Sequence, residues 1–175
     1  VCCVLACTSS AARTWYVSPS GSDGANGLTD KTPFVTLQKA ADTTRPGDTV
    51  LFMAGTWTFP YDDYRNMVTI TRSGTAAAWI RYLAAPGAKP RLLFSCYAGI
   101  RITGASFIEV AGLELQGNKD GLTLDSAISH QGNDWASLDN DGISIGPAGG
   151  IGSSTAPYPH HIIVRNTDVH HCSGS

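Results

Sequence analysis

Short runs in which apolar and polar residues alternate recur along this chain, and two of them can be laid over each other. With segment 107–115 placed on segment 161–169, Ile108, Val110 and Leu115 fall on Ile162, Val164 and Val169, and Gly112 falls on Asn166. Between the two lies a third alternation, Ile143 and Ile145 among Gly142, Ser144 and Gly146. A period of two is the period of a β-strand with one face buried. Each run is brief and breaks at Gly, Asn or Asp. A strand this short cannot bury its apolar face alone, so successive copies must stack and bury it for one another. The pattern predicts an all-β solenoid, a right-handed parallel β-helix. The inward positions expected are Ile100, Ile102, Ile108, Val110, Leu113, Leu115, Leu122, Leu124, Ile143, Ile145, Ile162, Val164 and Val169.

The first third reads differently. Trp15 to Val17 make a strand that stops at Pro19, and a glycine-rich loop spans 20–27. Phe34, Leu37, Ala40 and Ala41 then recur three to four apart, which predicts a short amphipathic helix over 37–42. Pro46 and Gly47 end it, and strand resumes over 49–53. Such a helix would cap the first coil of the solenoid, whose open edge would otherwise invite aggregation. Two regions are expected: 1–13, resembling a signal peptide or lipoprotein leader, and 14–175, the β-helix domain.

Composition agrees. Charged residues make up 15% of the chain, well under the roughly 25% of an average globular protein. The 19 glycines suit a fold with many corners. A net charge of -2 shows no basic excess, which excludes nucleic acid as the expected partner. The apolar run 1–7 is too short to span a bilayer and is followed by small residues, as at the end of a secretory signal. The same residues can be read as a lipobox that would place a lipid anchor on Cys7, or as an ordinary buried strand. With Val at position 1 and no basic segment ahead of the run, the reading frame is expected to start upstream. Cys96 and Cys172 remain for the folded domain and are expected as two buried thiols.

Tyr16 to Asp23, Lys31 to Phe34, Leu37 to Ala40, Pro46 to Val50 and Ala54 to Trp57 together resemble the start of secreted right-handed β-helix proteins of the pectate-lyase-like superfamily, in particular polysaccharide lyase family 9 and its relatives. Asp141 to Ile145, Pro159 to Asn166 and Val169 to Cys172 resemble coils of the same proteins. The resemblance implies an extracellular protein, secreted or held at the cell surface, that acts on a polysaccharide. It further implies a lyase that cleaves a uronate-containing polymer by β-elimination. That reaction removes a proton α to a carboxylate, which must first be neutralised by calcium or by Arg and Lys, and it needs a base.

Candidates for these roles follow. Asp134, Asp139 and Asp141, beside Asn133 and Asn140, form the densest set of oxygen ligands and precede the Ile143/Ile145 strand, so calcium is the cofactor expected there. Asp168 could extend the same face. A polar turn whose side chains bond their own backbone is the alternative. Lys119 and Arg165 are the candidate catalytic cations, with a surface position for Lys119 and an ion pair with Asp168 or an Asp of the adjacent coil for Arg165 as alternatives. Trp135, Tyr158 and His170 are the candidate substrate-binding residues, and Trp57, Tyr61 and Tyr64 are further aromatic platforms. The pairs His160/His161 and His170/His171 lack metal-ligand spacing, and adjacent residues of a strand point to opposite faces, so zinc is not expected.

Three functions stay open: a polysaccharide lyase, a noncatalytic glycan-binding or surface module, and a glycoside hydrolase on the same fold, which would need paired carboxylates on one face. The last residues carry no capping helix, and at roughly 22–25 residues per coil the segment after the helix supplies about five coils. The chain is therefore expected to be part of a longer one, or to have its last coil covered by another subunit.

Overall fold

A computed structural model describes residues 11–121, 123–130, 140–150 and 157–173 of the chain. In chain order its elements are β1 (Thr14–Val17), α1 (Leu37–Thr43), β2 (Thr49–Phe52), β3 (Gly55–Ile70), β4 (Ile80–Ala84), β5 (Pro90–Thr103), β6 (Ile108–Ala111), β7 (Glu114–Gln116), α2 (Leu124–His130), β8 (Asp141–Gly146), β9 (Ile162–Arg165) and β10 (Asp168–His170). One parallel sheet runs β1-β2-β4-β6-β9; the other runs β3-β5-β7-β10, with β8 also on β5. Successive turns of chain lie on one another strand by strand, which is a parallel β-helix.

Register shows why the repeat was visible in sequence. Ile108 pairs with Ile162, Val110 with Val164, and Leu115 with Val169. These are the pairs that the apolar alternation put together. Ile143 and Ile145 pair with Ile100 and Ile102 on parallel strands. Coil lengths are another matter. Thr49 lies on Arg81, Arg81 on Glu109 and Glu109 on Ile163, giving steps of 32 (81 − 49), 28 (109 − 81) and 54 (163 − 109) residues. These three steps exceed the expected 22–25 residues, because loops between stacked rungs can lengthen without disturbing the ladder, while on the second sheet Arg91 lies on Glu114 at a step of 23 (114 − 91). The longest step holds an insertion. Gln116 ends β7 opposite Leu93 and Asp141 starts β8 opposite Ala98, so residues 117–140 occupy the place of 94–97.

The core is the inside of the coil. Leu92, Phe94, Ile100, Ile102, Ile108, Val110, Leu113 and Leu115 are all buried there. Each buried Leu, Ile or Phe removes enough apolar surface to contribute about 1.5–3 kcal/mol. Helix α1 buries Leu37, Ala40 and Ala41 against β1 and β3. Its first turn is held by Thr36, which accepts from Lys39 N. Asp23 of the glycine-rich loop accepts from the Val35 and Thr36 amides and from the Thr36 hydroxyl, fastening that loop to the helix start.

Several inward assignments are corrected. Leu124 lies in α2 and is 75% exposed, since the insertion leaves the coil; its spacing from the equally outward Ile128 was the helical signal missed. Ile145, Val164 and Val169 occupy the expected register yet are 43–47% exposed, because each has a stacked neighbour on one side only among the described residues. Leu122 lies outside the described residues.

Candidate functional site

Side chains that point away from the core meet their counterparts one coil over, about 4.8 Å along the stack. Both glutamates of the chain sit in the middle of such a column. On the first sheet Glu109 Oε2 lies 3.1 Å from Arg81 Nε, and its Oε1 lies 2.6 Å from Arg165 Nη2. On the second sheet Glu114 Oε1 is 3.1 Å from Arg91 Nε and 3.3 Å from His170 Nε2. Arg91 also donates from Nη2 to Gln116 Oε1. The two columns share one construction. Arg165 stands opposite Ala111 and reaches back two residues to Glu109, while His170 stands opposite Gln116 and reaches back two to Glu114.

Where the two sheets meet, a cleft of about 340 Å³ opens, lined by Lys89, Pro90, Gly112, Leu113, Glu114, Asn166 and Asp168. The corner is made by backbone conformation. Gly112 and Asn166 take φ of 77° and 51°, and both belong to the residue types that tolerate left-handed geometry. A Cβ at Gly112 would stand 2.9 Å from Ala84 Cβ, so only glycine lets the coils close there. Glu114 and Asp168 face this cleft in register on adjacent coils. Its volume is at the low end for small-ligand sites.

Of the residues singled out in the sequence, Asp168 and His170 therefore come together, joined by Lys89, Arg91 and Glu114, which sequence reasoning passed over. Arg165 lies on the other sheet and is held by Glu109, an ion pair of the kind the alternative reading expected but with a glutamate in place of Asp168 or another Asp. Lys119 is exposed in the single turn Lys119–Gly121, and its amide donates to His171 O. Asp141 starts β8 opposite Ala98, seven residues along β5 from the Arg91 position that Asp168 shares. Tyr158 is 59% exposed. Asp134, Trp135 and Asp139 lie outside the described residues, as do the side chains of Tyr61 and Tyr64. Trp57 is buried and its indole donates to Val35 O, which removes it as a sugar platform. Among the described residues no three His, Cys, Asp or Glu side chains converge as metal ligands, so Asp141 and Asp168 do not by themselves make a calcium site.

The turn after β7 is tightly fitted. Asn140 is buried, donates to Cys96 O at 2.6 Å, and accepts from Asn118 N at 3.4 Å. Gly117 passes so close that a Cβ there would stand 2.0 Å from Asn140 Oδ1. Cys96 is buried and Cys172 half-buried, both as free thiols; burial pushes the Cys172 thiol up. The histidine pairs depart from the strand geometry expected of them. β10 ends at His170, and His171 turns left-handed at φ 55°, as does His161 after His160. Paired rings thus share a side rather than opposing faces. His161 in addition stacks on Phe107 at 4.7 Å.

Known proteins add a context for this geometry. A solved rhamnogalacturonan lyase is 27% identical (TM-score 0.55), with 60% of this chain and 29% of that one covered. The pectate lyase Pel9A is 25% identical (TM-score 0.51), with 60% and 28% covered. A GH136 lacto-N-biosidase from Eubacterium ramulus, 19% identical, shares the fold over 93% of this chain and 28% of its own (TM-score 0.66). The chain thus spans less than a third of each of these structures. No curated protein sequence matches it. The Pel9A-like right-handed β-helix region matches residues 15–174, and with the parallel stacking seen throughout those residues this places the chain in the Pel9A-like right-handed β-helix family.

Proposed function

We propose that this β-helix belongs to an extracellular polysaccharide-active protein that cleaves a uronate-containing polymer by β-elimination. The observation that carries the reading is the corner cleft, where Lys89 stands beside stacked parallel strands of a lyase-related fold. In β-elimination a base takes the proton α to the uronate carboxylate, the electron pair forms a C=C bond, and the glycosidic oxygen leaves and is protonated. Cations beside the carboxylate lower the cost of the first step. Lys89 is the cation of the cleft, Arg91 beside it being paired with Glu114, and Lys119 and Arg165 stay as the candidate cations read from sequence. Calcium ligation by Asp141 with Asp134 and Asp139 belongs to the same proposal. Among the described residues no helix is long and apolar enough to cross a membrane.

One observation favours a second reading. Glu114 and Asp168 supply the paired carboxylates on one face that a glycoside hydrolase requires. A single assay separates the readings: polygalacturonate and rhamnogalacturonan are incubated with the protein, with and without added calcium. Unsaturated uronate absorbance rising with new reducing ends supports the lyase. Reducing ends without absorbance support the hydrolase, and retention on the polymer with neither product supports a binding module.

A further inference from the structure

Three arginines of the outward columns are neutralised: Arg81 and Arg165 share Glu109, and Arg91 meets Glu114. Arg101 is built differently. It stands between Thr69 and Ser144 of the adjacent coils, on the face formed by the second halves of β3 and β5 and by β8. Its Nε donates to Thr103 Oγ1 at 3.2 Å, and its Nη1 donates to Ser144 Oγ of the next coil. The half-buried Tyr97 backs it, with Cζ 5.8 Å from the ring centroid. Among the described residues no carboxylate pairs with it; Asp141, the acid of the adjoining strand, stands opposite Ala98.

Hydroxyls and a ring hold a guanidinium in place without cancelling its charge. Of its five N–H groups, both on Nη2 and one on Nη1 are left without an acceptor. These donors are coplanar and make the fork that takes the two oxygens of a carboxylate. Gly146, opposite Thr103, keeps that end clear, since a Cβ there would stand 3.2 Å from Nη2. Fixing a long side chain in advance lowers the ordering cost of binding.

We propose that Arg101 binds the carboxylate of a uronate unit in a second sugar subsite, with Tyr97, Thr103 and Ser144 holding the guanidinium in position. One guanidinium matches the single charge of a carboxylate, whereas a phosphate monoester carries close to two. The identity of the acid rests on the lyase reading above. The site does not rest on the corner cleft: Arg101 lies ten residues (101 − 91) along β5 from Arg91 and pairs with β8 where Arg91 pairs with β7.

The test is binding of tetragalacturonate and of its methyl ester to the full chain, by calorimetry with and without calcium. Wild type is expected to prefer the acid. Arg101→Gln is expected to weaken the acid about tenfold or more and to leave the ester within about twofold. Arg101→Lys, which keeps the charge and loses the fork, is expected to recover only part of the loss. Equal affinity of wild type and Arg101→Gln for the acid overturns the proposal, as does a wild type that binds neither ligand. If Arg101→Gln does not fold, Gly146→Ala decides in its place, because it crowds Nη2 and keeps every charge. Equal displacement of the acid by inorganic phosphate and by galacturonate overturns the assignment to a sugar acid. Unsaturated uronate absorbance keeps the two readings apart. Acid-selective binding through Arg101 with no unsaturated product removes the lyase and keeps the subsite. Unsaturated product from an Arg101→Gln variant that binds like wild type keeps the lyase and removes the subsite.

Discussion

Arg165 reaches back across one coil to Glu109, with Nε and Nη2 at 2.7 and 2.6 Å from the same carboxylate oxygen. The other oxygen accepts from Arg81 of the preceding coil. A half-exposed guanidinium on either side of a carboxylate that is only 12% exposed makes the three a clip across three turns of chain.

Glu109→Gln leaves those two cations facing each other around a neutral amide. Solvent screens both arginines, so the expected loss is about 1–3 kcal/mol and not the sum of two buried pairs. Arg165→Met, which leaves Arg81 in place, is expected to cost less than about 1 kcal/mol. Urea unfolding of both variants checks the order, and equal stability of wild type and Glu109→Gln would refute it.

Gly117→Ala should destabilise by about 1–3 kcal/mol through overpacking, because the new Cβ meets Asn140 Oδ1 at 2.0 Å and His171 O at 2.5 Å. Asn140→Ala should cost a similar amount for a different reason: the buried Cys96 carbonyl loses its donor. Combined, the two should cost less than their sum, since removing the Asn side chain removes one of the clashes. A double-mutant cycle by thermal denaturation reads this coupling, and strict additivity would contradict it.

Two leucines in the same stretch of sequence should behave in opposite ways. Leu115→Ala empties a fully buried position between stacked strands and is expected to cost about 2–5 kcal/mol. Leu124→Gln, at an exposed position of α2, is expected to stay within about 0.5 kcal/mol of wild type. Comparable losses at the two sites would mean that Leu124 belongs to the core after all.

Burial pushes the Asp23 carboxyl up, but the Thr36 hydroxyl and amide, the Val35 amide and the Lys39 charge outweigh it and hold it below the ordinary 3.8. A carboxylate lowered on folding stabilises the native state above its unfolded pKa, and that contribution fades as pH falls through the lower folded value. The stability difference between wild type and Asp23→Asn should therefore be constant at neutral pH and shrink below about pH 4. Urea midpoints across pH 2–7 measure it; a difference that grows on acidification would reverse the sign.

Residues 107–115 and 161–169 announced their own pairing, because positions that face a core must be apolar and a strand repeats every second residue. The same logic located α1 and the two left-handed corners at Gly112 and Asn166, where burial and backbone geometry restrict what residue can stand. The outward residues obey no such rule. Glu114 and Asp168 occupy equivalent places in those segments, so half of the cleft could have been read from the repeat; Lys89 and Arg91 could not. They come from a coil whose step differs, 23 residues from Arg91 to Glu114 (114 − 91) where the next, from Glu114 to Asp168, is 54 (168 − 114), and loop length leaves no periodic trace. The histidine pairs likewise looked like strand residues on opposite faces. A positive φ at the second of each pair, imposed by the corner of the coil, put their rings together. Local sequence thus determined what must be buried and where the chain must bend. Only the stacking of coils decided which solvent-facing side chains meet, because that depends on how much chain lies between rungs and not on the rungs themselves.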